Sequence, residues 1–155
     1  MRKVTVAAVQ MRCTENAEEN IARAEALVRK AAAEGAQIIL LPELFERPIS
    51  ARSADMNITG MQSLWRKTMR CAIFQRWRRS FPVVLPISFY ERDKNRLFNT
   101  VAILDADGEN LGIYRKTHIP DDHYYQEKFY FTPGDTGFKA LRPGTLSSAW
   151  ASAGT

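Results

Sequence analysis

The first 41 residues constrain the fold most, because they switch from a strand period to a helix period and back within one crossover unit. Lys3-Val4-Thr5-Val6-Ala7-Ala8-Val9 is short and rich in β-formers, as a buried strand requires. From Ala17 to Ala33, Ile21, Ala24, Leu27, Val28 and Ala31 recur at helical spacing among Glu, Arg and Lys, and Gly35 stands just past the end as a stop. Gln37-Ile38-Ile39-Leu40-Leu41 follows as a second buried strand. Strand, helix, strand predicts a right-handed crossover and a parallel pair. Glu43 then falls just beyond the carboxyl end of a strand, where open α/β sheets usually place their sites.

Three more strands are expected at Val83 to Tyr90, Leu97 to Leu104 and Leu111 to Tyr114, separated by the turns Arg92-Asp93-Lys94-Asn95 and Asp105-Ala106-Asp107-Gly108. Between them and the first unit the pattern fails. From Ile49 to Phe81, Trp65, Ile73, Phe74 and Trp77 stand among arginines with neither a 3.6 nor a 2.0 period. After Lys139 the composition turns small and polar, so residues 140–155 are expected to form an unstructured tail.

The failing block also explains the charge. The chain is +5 overall, but 49–81 holds seven basic residues against one acid, leaving 15 basic and 16 acidic residues elsewhere. An excess confined to one aperiodic block, without a recognition motif, is weak support for nucleic-acid binding. No apolar stretch is long enough for a bilayer, and Met1-Arg2-Lys3 leads straight into a strand, so neither a membrane nor a signal peptide is expected and the chain reads as cytoplasmic. Cys13, Cys71, His118 and His123 show no zinc-ligand spacing; no metal is expected, and the two thiols are read as reduced. With 45% apolar residues, 155 residues suffice for one ordinary domain with a real core.

Taken singly, the charged residues beside apolar sequence are unremarkable. Glu43 reads equally as a solvated loop carboxylate, and Lys116, in Tyr114-Arg115-Lys116-Thr117-His118, as a surface lysine after a strand. Their context changes this. Val6-Ala7-Ala8-Val9-Gln10-Met11, Leu41-Pro42-Glu43-Leu44-Phe45, Asn99-Thr100-Val101-Ala102 and Tyr114-Arg115-Lys116-Thr117-His118-Ile119-Pro120 resemble, in order, the signatures of carbon–nitrogen hydrolases of the nitrilase superfamily. Pro86 to Arg92 and Gln126 to Phe138 resemble the N-carbamoylputrescine amidases within it. The resemblance covers 1–48 and 82–139.

That resemblance implies an incomplete α-β-β-α sandwich of the nitrilase type, with residues 1–139 as the amino-terminal part of a hydrolase domain. It implies that Glu43 is the general base, that Lys116 stabilises the oxyanion and that Glu127 positions substrate and supports proton transfer. The substrate would be a small N-carbamoyl amine, hydrolysed through a cysteine intermediate without metal or organic cofactor. Intact relatives would be homo-oligomers. Related N-carbamoyl amidases, such as those acting on β-ureidopropionate, are the alternative within the class, and a non-catalytic fragment or partner of intact homologues is the alternative outside it. The family nucleophile stands in a Gly-Ile-Cys-Trp-Asp type motif beyond the position where these residues end. Neither Cys13 nor Cys71 matches it, and the chain as written is expected to be inactive.

One displacement of the reading frame accounts for both anomalous stretches. If the third base of each codon joins the first two of the next, permitted codons from Pro48 to Phe81 allow a sequence ending D-A-L-R-H-F-S-A-L-A-K-E-L, an amphipathic helix. From Arg142 to Thr155 they allow T-R-Y-A-K-L-G-V-G-I-C-W-D, which contains the nucleophile motif. The basic block would then be a product of the frame rather than a binding surface.

Overall fold

The computed structural model describes residues 3–46, 82–121, 126–138, 140–141 and 143–144, and the backbone of Ala151–Ser152. The aperiodic block of 49–81, Cys71 and His123 lie outside them.

Strand β1 (Val6–Ala8), helix α1 (Ala17–Ala33) and strand β2 (Ile38–Leu40) form the expected unit, with β1 and β2 parallel. The helix starts where it does because the Asn16 side chain caps the Glu18 and Glu19 amides, and those two acids face the positive end of the helix dipole. It stops at Gly35, whose φ of +89° is the left-handed conformation that a residue lacking Cβ adopts without strain. Ala24 and Val28 turn the inner face of the helix onto Ile39, Leu85, Ile87 and Phe89, all nearly inaccessible. Each buried side chain of the larger kind contributes about 1.5–3 kcal/mol. This is the main core.

Val84 bridges in parallel to Ile38 and so joins the parallel pair to an antiparallel meander of β3 (Leu85–Asp93), β4 (Arg96–Leu104) and β5 (Asn110–Arg115). The first turn is tighter than the sequence predicts. Arg92 and Asp93 belong to β3, and Asp93 pairs with Arg96 across a two-residue loop, because Lys94 takes a left-handed φ of +56°. The second turn forms as expected, with Gly108 at φ +85° donating its N–H to the Asp105 carbonyl.

The expected unstructured tail needs correction at its described residues. Strand β6 (Ala140–Leu141) pairs antiparallel with β7 (Ala151–Ser152). Leu141 packs against the small Val84 and Ile103 cluster, and its Cδ2 lies 3.9 Å from where a Cβ on Gly112 would sit. A bare glycine in β5 thus seats an apolar side chain that the small, polar composition of the tail concealed. No helix among the described residues is long and apolar enough to cross a membrane.

Candidate active site

Glu43 leaves β2 through Pro42 into a turn at residues 43–46. Lys116 is the first residue after β5, where its N–H donates to the Asn99 carbonyl (2.8 Å) and its own carbonyl accepts from the Gly134 N–H (2.9 Å). Glu127 opens a short 3-10 turn, Glu127–Phe129. The structure brings these three segments together. The Lys116 Nζ lies 3.2 Å from Glu43 Oε1 and 3.1 Å from Glu127 Oε2. All three residues singled out in the sequence therefore share one cluster.

Asn99 is the member that sequence reading did not assign. Its side-chain amide donates to Glu43 Oε1, and its residue is only 5% exposed. An asparagine inside an otherwise apolar strand was the available signal, since a buried amide needs partners. Both the Asn99 and Lys116 contacts fall on Oε1; among the described residues the Glu43 Oε2 accepts no hydrogen bond. That oxygen can take a proton.

Burial pulls the Lys116 ammonium toward deprotonation, but the Glu127 hydrogen bond and the nearby charge of Glu43 outweigh it, and its pKa moves above the ordinary lysine value. Lys116 is thus a permanent cation at neutral pH and no base. The arrangement offers a fixed positive charge where negative charge could develop, flanked by two carboxylates.

Beneath it lies a second ionic cluster of a different kind. Arg115 makes a two-pronged contact with Glu91, Nε to Oε2 at 2.8 Å and an NH2 nitrogen to Oε1 at 2.6 Å, and reaches Asp135 at 2.8 Å. Its guanidinium sits 4.1 Å from the Phe98 ring centroid, and the Thr100 hydroxyl donates to Glu91. The Glu91 hydrogen bond raises the Arg115 pKa further, and the Arg115 hydrogen bond lowers that of Asp135. Gly134 fits this corner only because it lacks a side chain; a Cβ there would come 2.0 Å from the Arg115 carbonyl oxygen. The stretch Pro133 to Gly137 therefore secures the end of β5, immediately before Lys116.

On the Glu43 side, Tyr90, Ile119, Tyr130 and Phe131 form a small core with Leu44 packed on it. The buried Tyr90 hydroxyl finds no hydrogen-bond partner among the described residues, and burial, reinforced by Tyr130, pushes its pKa to about 12. An unfolded tyrosine releases its proton near pH 10. Above that pH the unfolded chain binds fewer protons than the folded one, so stability falls between about pH 10 and 12. Tyr90→Phe should flatten that fall without destabilising the chain at pH 7, as urea midpoints at pH 7, 10 and 11 will show; an unchanged alkaline slope contradicts this.

Cys13 packs against the main core. Among the described residues no group of His, Cys, Asp and Glu is arranged to hold a metal ion.

Residues 5–147 match the family model described as carbon-nitrogen hydrolase. An N-carbamoylputrescine amidase of Oryza sativa subsp. japonica is 46% identical over 140 residues, covering 90% of this chain and 46% of the relative. A citrullinase of Francisella tularensis is 39% identical over 139 residues, covering 90% and 49%. The crystal structure of a carbon-nitrogen hydrolase from Helicobacter pylori G27 superposes with a TM-score of 0.81 at 28% identity, over 92% of this chain and 49% of that one. The chain spans about half the length of the relatives it matches.

Proposed function

Since this chain belongs to the carbon-nitrogen hydrolase family, we propose that Glu43, Lys116 and Glu127 form the amino-terminal part of a thiol-dependent amidase site acting on N-carbamoyl amines, with N-carbamoylputrescine as the substrate. The observation that carries this reading is the Lys116 ammonium held 3.1–3.2 Å from two carboxylates supplied by separate segments. The similarity to N-carbamoylputrescine amidases supports the choice of substrate.

In this reading the free oxygen of Glu43 takes the proton of a cysteine thiol, and the thiolate sulfur attacks the carbamoyl carbon. The carbonyl electron pair moves to oxygen, and the oxyanion forms opposite Lys116. Collapse expels a nitrogen leaving group, which receives the proton from Glu43. Glu43 then deprotonates water, whose oxygen attacks the carbon of the S-carbamoyl intermediate; the sulfur leaves and takes the proton back from Glu43, and a carbamic acid is released. With ammonia as the first leaving group, the carbamic acid breaks its remaining C–N bond by losing carbon dioxide, so the products are the free amine, ammonia and carbon dioxide. Glu127 keeps Lys116 charged and in place and positions the substrate. The cysteine is not Cys13, whose place against the core serves packing; we assign it to the motif that the displaced frame restores after Arg142.

The citrullinase relative favours a second reading, a ureido amino acid as substrate. Citrulline and N-carbamoylputrescine both carry a ureido group on an aliphatic chain, so the reacting atoms are shared and only the far end differs. A frame-restored chain extended to the length of its relatives should release ammonia from N-carbamoylputrescine with a kcat/KM at least about tenfold above that for citrulline or β-ureidopropionate, a difference of about 1.4 kcal/mol. The reverse order would assign the second reading.

A further inference from the structure

Glu43 is an exposed side chain, 56% accessible, so packing around the carboxylate cannot locate it. Asn99 and Lys116 hold its Oε1, and the turn that carries it must bring the carboxylate within their reach. That turn is unusual: Leu44 has φ +50°, a left-handed conformation that residues with a Cβ rarely adopt and that surrounding contacts must hold. Before the turn the chain is anchored by Leu41, buried in the main core, and by the Val9 N–H donating to the Leu40 carbonyl; within the turn the holding contacts lie at Leu44 and after it. The Leu44 N–H donates to the Ser88 hydroxyl at 3.2 Å, Phe45 is buried in the main core, and the Glu46 carbonyl accepts from Asn20 Nδ2 at 2.9 Å.

Asn20 stands out among these. It sits in the first turn of α1, fully inaccessible, where an apolar residue would serve packing better. Its amide is saturated. Nδ2 donates to the Thr14 and Glu46 carbonyls at 2.7 and 2.9 Å, and Oδ1 accepts from the Thr14 N–H and hydroxyl at 2.8 and 3.3 Å. One side chain therefore ties the start of the helix to the chain leaving β1 and to the end of the Glu43 turn. Replacing it removes this donor from the Glu46 carbonyl and loosens one of the contacts that hold Leu44 at positive φ, which lets Glu43 shift relative to Lys116.

We propose that Asn20 is a positioning residue for Glu43, acting through the Glu46 carbonyl to hold the left-handed turn; the proposal rests on the pairing of Glu43 with Lys116 described above. Two readouts on the 155-residue chain test it. The first is hydrogen exchange of the amides of residues 43–46. The second is the rate at which an acylating reagent modifies Lys116 at pH 8, relative to Lys30, read by mass spectrometry. Glu43→Gln removes one of the charges that raise the Lys116 pKa and should speed its modification severalfold by increasing the free amine at pH 8. Asn20→Ser should give a similar gain and faster exchange at 43–46, with the amides paired between β3 and β4 unchanged. Val28→Ala, a packing loss on the same helix, should move neither readout at 43–46 nor at Lys116.

If Asn20→Ser does not fold, Asn20→Asp keeps the oxygen that Thr14 uses, lacks the amide that Glu46 uses, and reads the same two quantities. A folded Asn20 variant with unchanged exchange and unchanged Lys116 modification overturns the positioning role while Glu43→Gln still shows the pairing. A Glu43→Gln variant modified at the wild-type rate overturns the pairing itself, and the positioning role with it.

Discussion

The 155-residue chain should release no ammonia from N-carbamoylputrescine, whereas the same gene re-read in the displaced frame over both anomalous stretches and extended to the length of its relatives should turn over. Removing the nucleophile of a covalent hydrolase costs about a factor of 10⁶ in turnover, and what remains comes from binding and charge stabilisation alone. Glu43 and Lys116 without an attacking sulfur can polarise a carbonyl but cannot form the covalent intermediate. In the restored enzyme, replacing the restored cysteine should abolish turnover, while Cys13→Ser, at a residue packed against the core, should leave it within about twofold. Ammonia release by the unrestored chain that is lost on Cys13→Ser or Cys71→Ser would show a different nucleophile. The coding DNA is the companion test: codons at Pro48 to Phe81 and Arg142 to Thr155 that do not give the displaced reading remove the frame account.

Replacing Glu91 with alanine should cost about 3–5 kcal/mol of folding stability, the penalty for leaving a buried charge without its partner. Arg115 and Glu91 have side chains only 12% and 11% accessible, so water cannot take over the lost contacts. Asp135, at 43%, and Asp93, at 36%, remain to Arg115, but such exposed partners restore little of the lost interaction. The Thr100 hydroxyl also loses its acceptor. Denaturant unfolding at pH 7 measures the effect, with Asp135→Ala as the comparison; its cost should be clearly the smaller of the two. Equal costs for the two would mean that burial does not set the strength of this cluster. Because Arg115 precedes Lys116, a loosened β5 end should also disturb the Lys116 contacts to Glu43 and Glu127.

How much of this was legible in the sequence depends on the distance over which each feature acts. The bounds of α1 follow from local rules, apolar spacing, Asn16 ahead of the first turn and Gly35 behind the last, and the helix spans Ala17–Ala33 as the periodicity predicts. The meander strands and their order follow equally from short apolar runs between turn residues. The two-residue loop at Lys94-Asn95 was missed because a lysine at positive φ carries no compositional mark. Glu43, Lys116 and Glu127 are singled out only through motif resemblance; nothing local distinguishes them from solvated charges. Asn20 and Asn99 were not assigned roles, because their hydrogen bonds reach 26 and 56 residues along the chain. The Glu91–Arg115 pair, 24 residues apart, was hidden for the same reason, since charged strand residues ordinarily face water. Residues 49–81 lie outside the described residues, and their expected lack of order stands as a proposal.

Ammonia release from N-carbamoylputrescine by the frame-restored, extended enzyme carrying Glu43→Gln or Lys116→Met, each checked for native folding by circular dichroism, tests the proposed site most directly. Lys116→Met keeps the length of the side chain and removes the charge proposed to face the oxyanion, and it should lower kcat by about 10²–10³. Glu43→Gln keeps the shape and removes the proton acceptor, and it should lower kcat by about 10²–10⁴. Folded variants that both retain kcat within about threefold of the parent, a change of less than 1 kcal/mol in the barrier, would contradict the assignment of this cluster as the site of the chemistry.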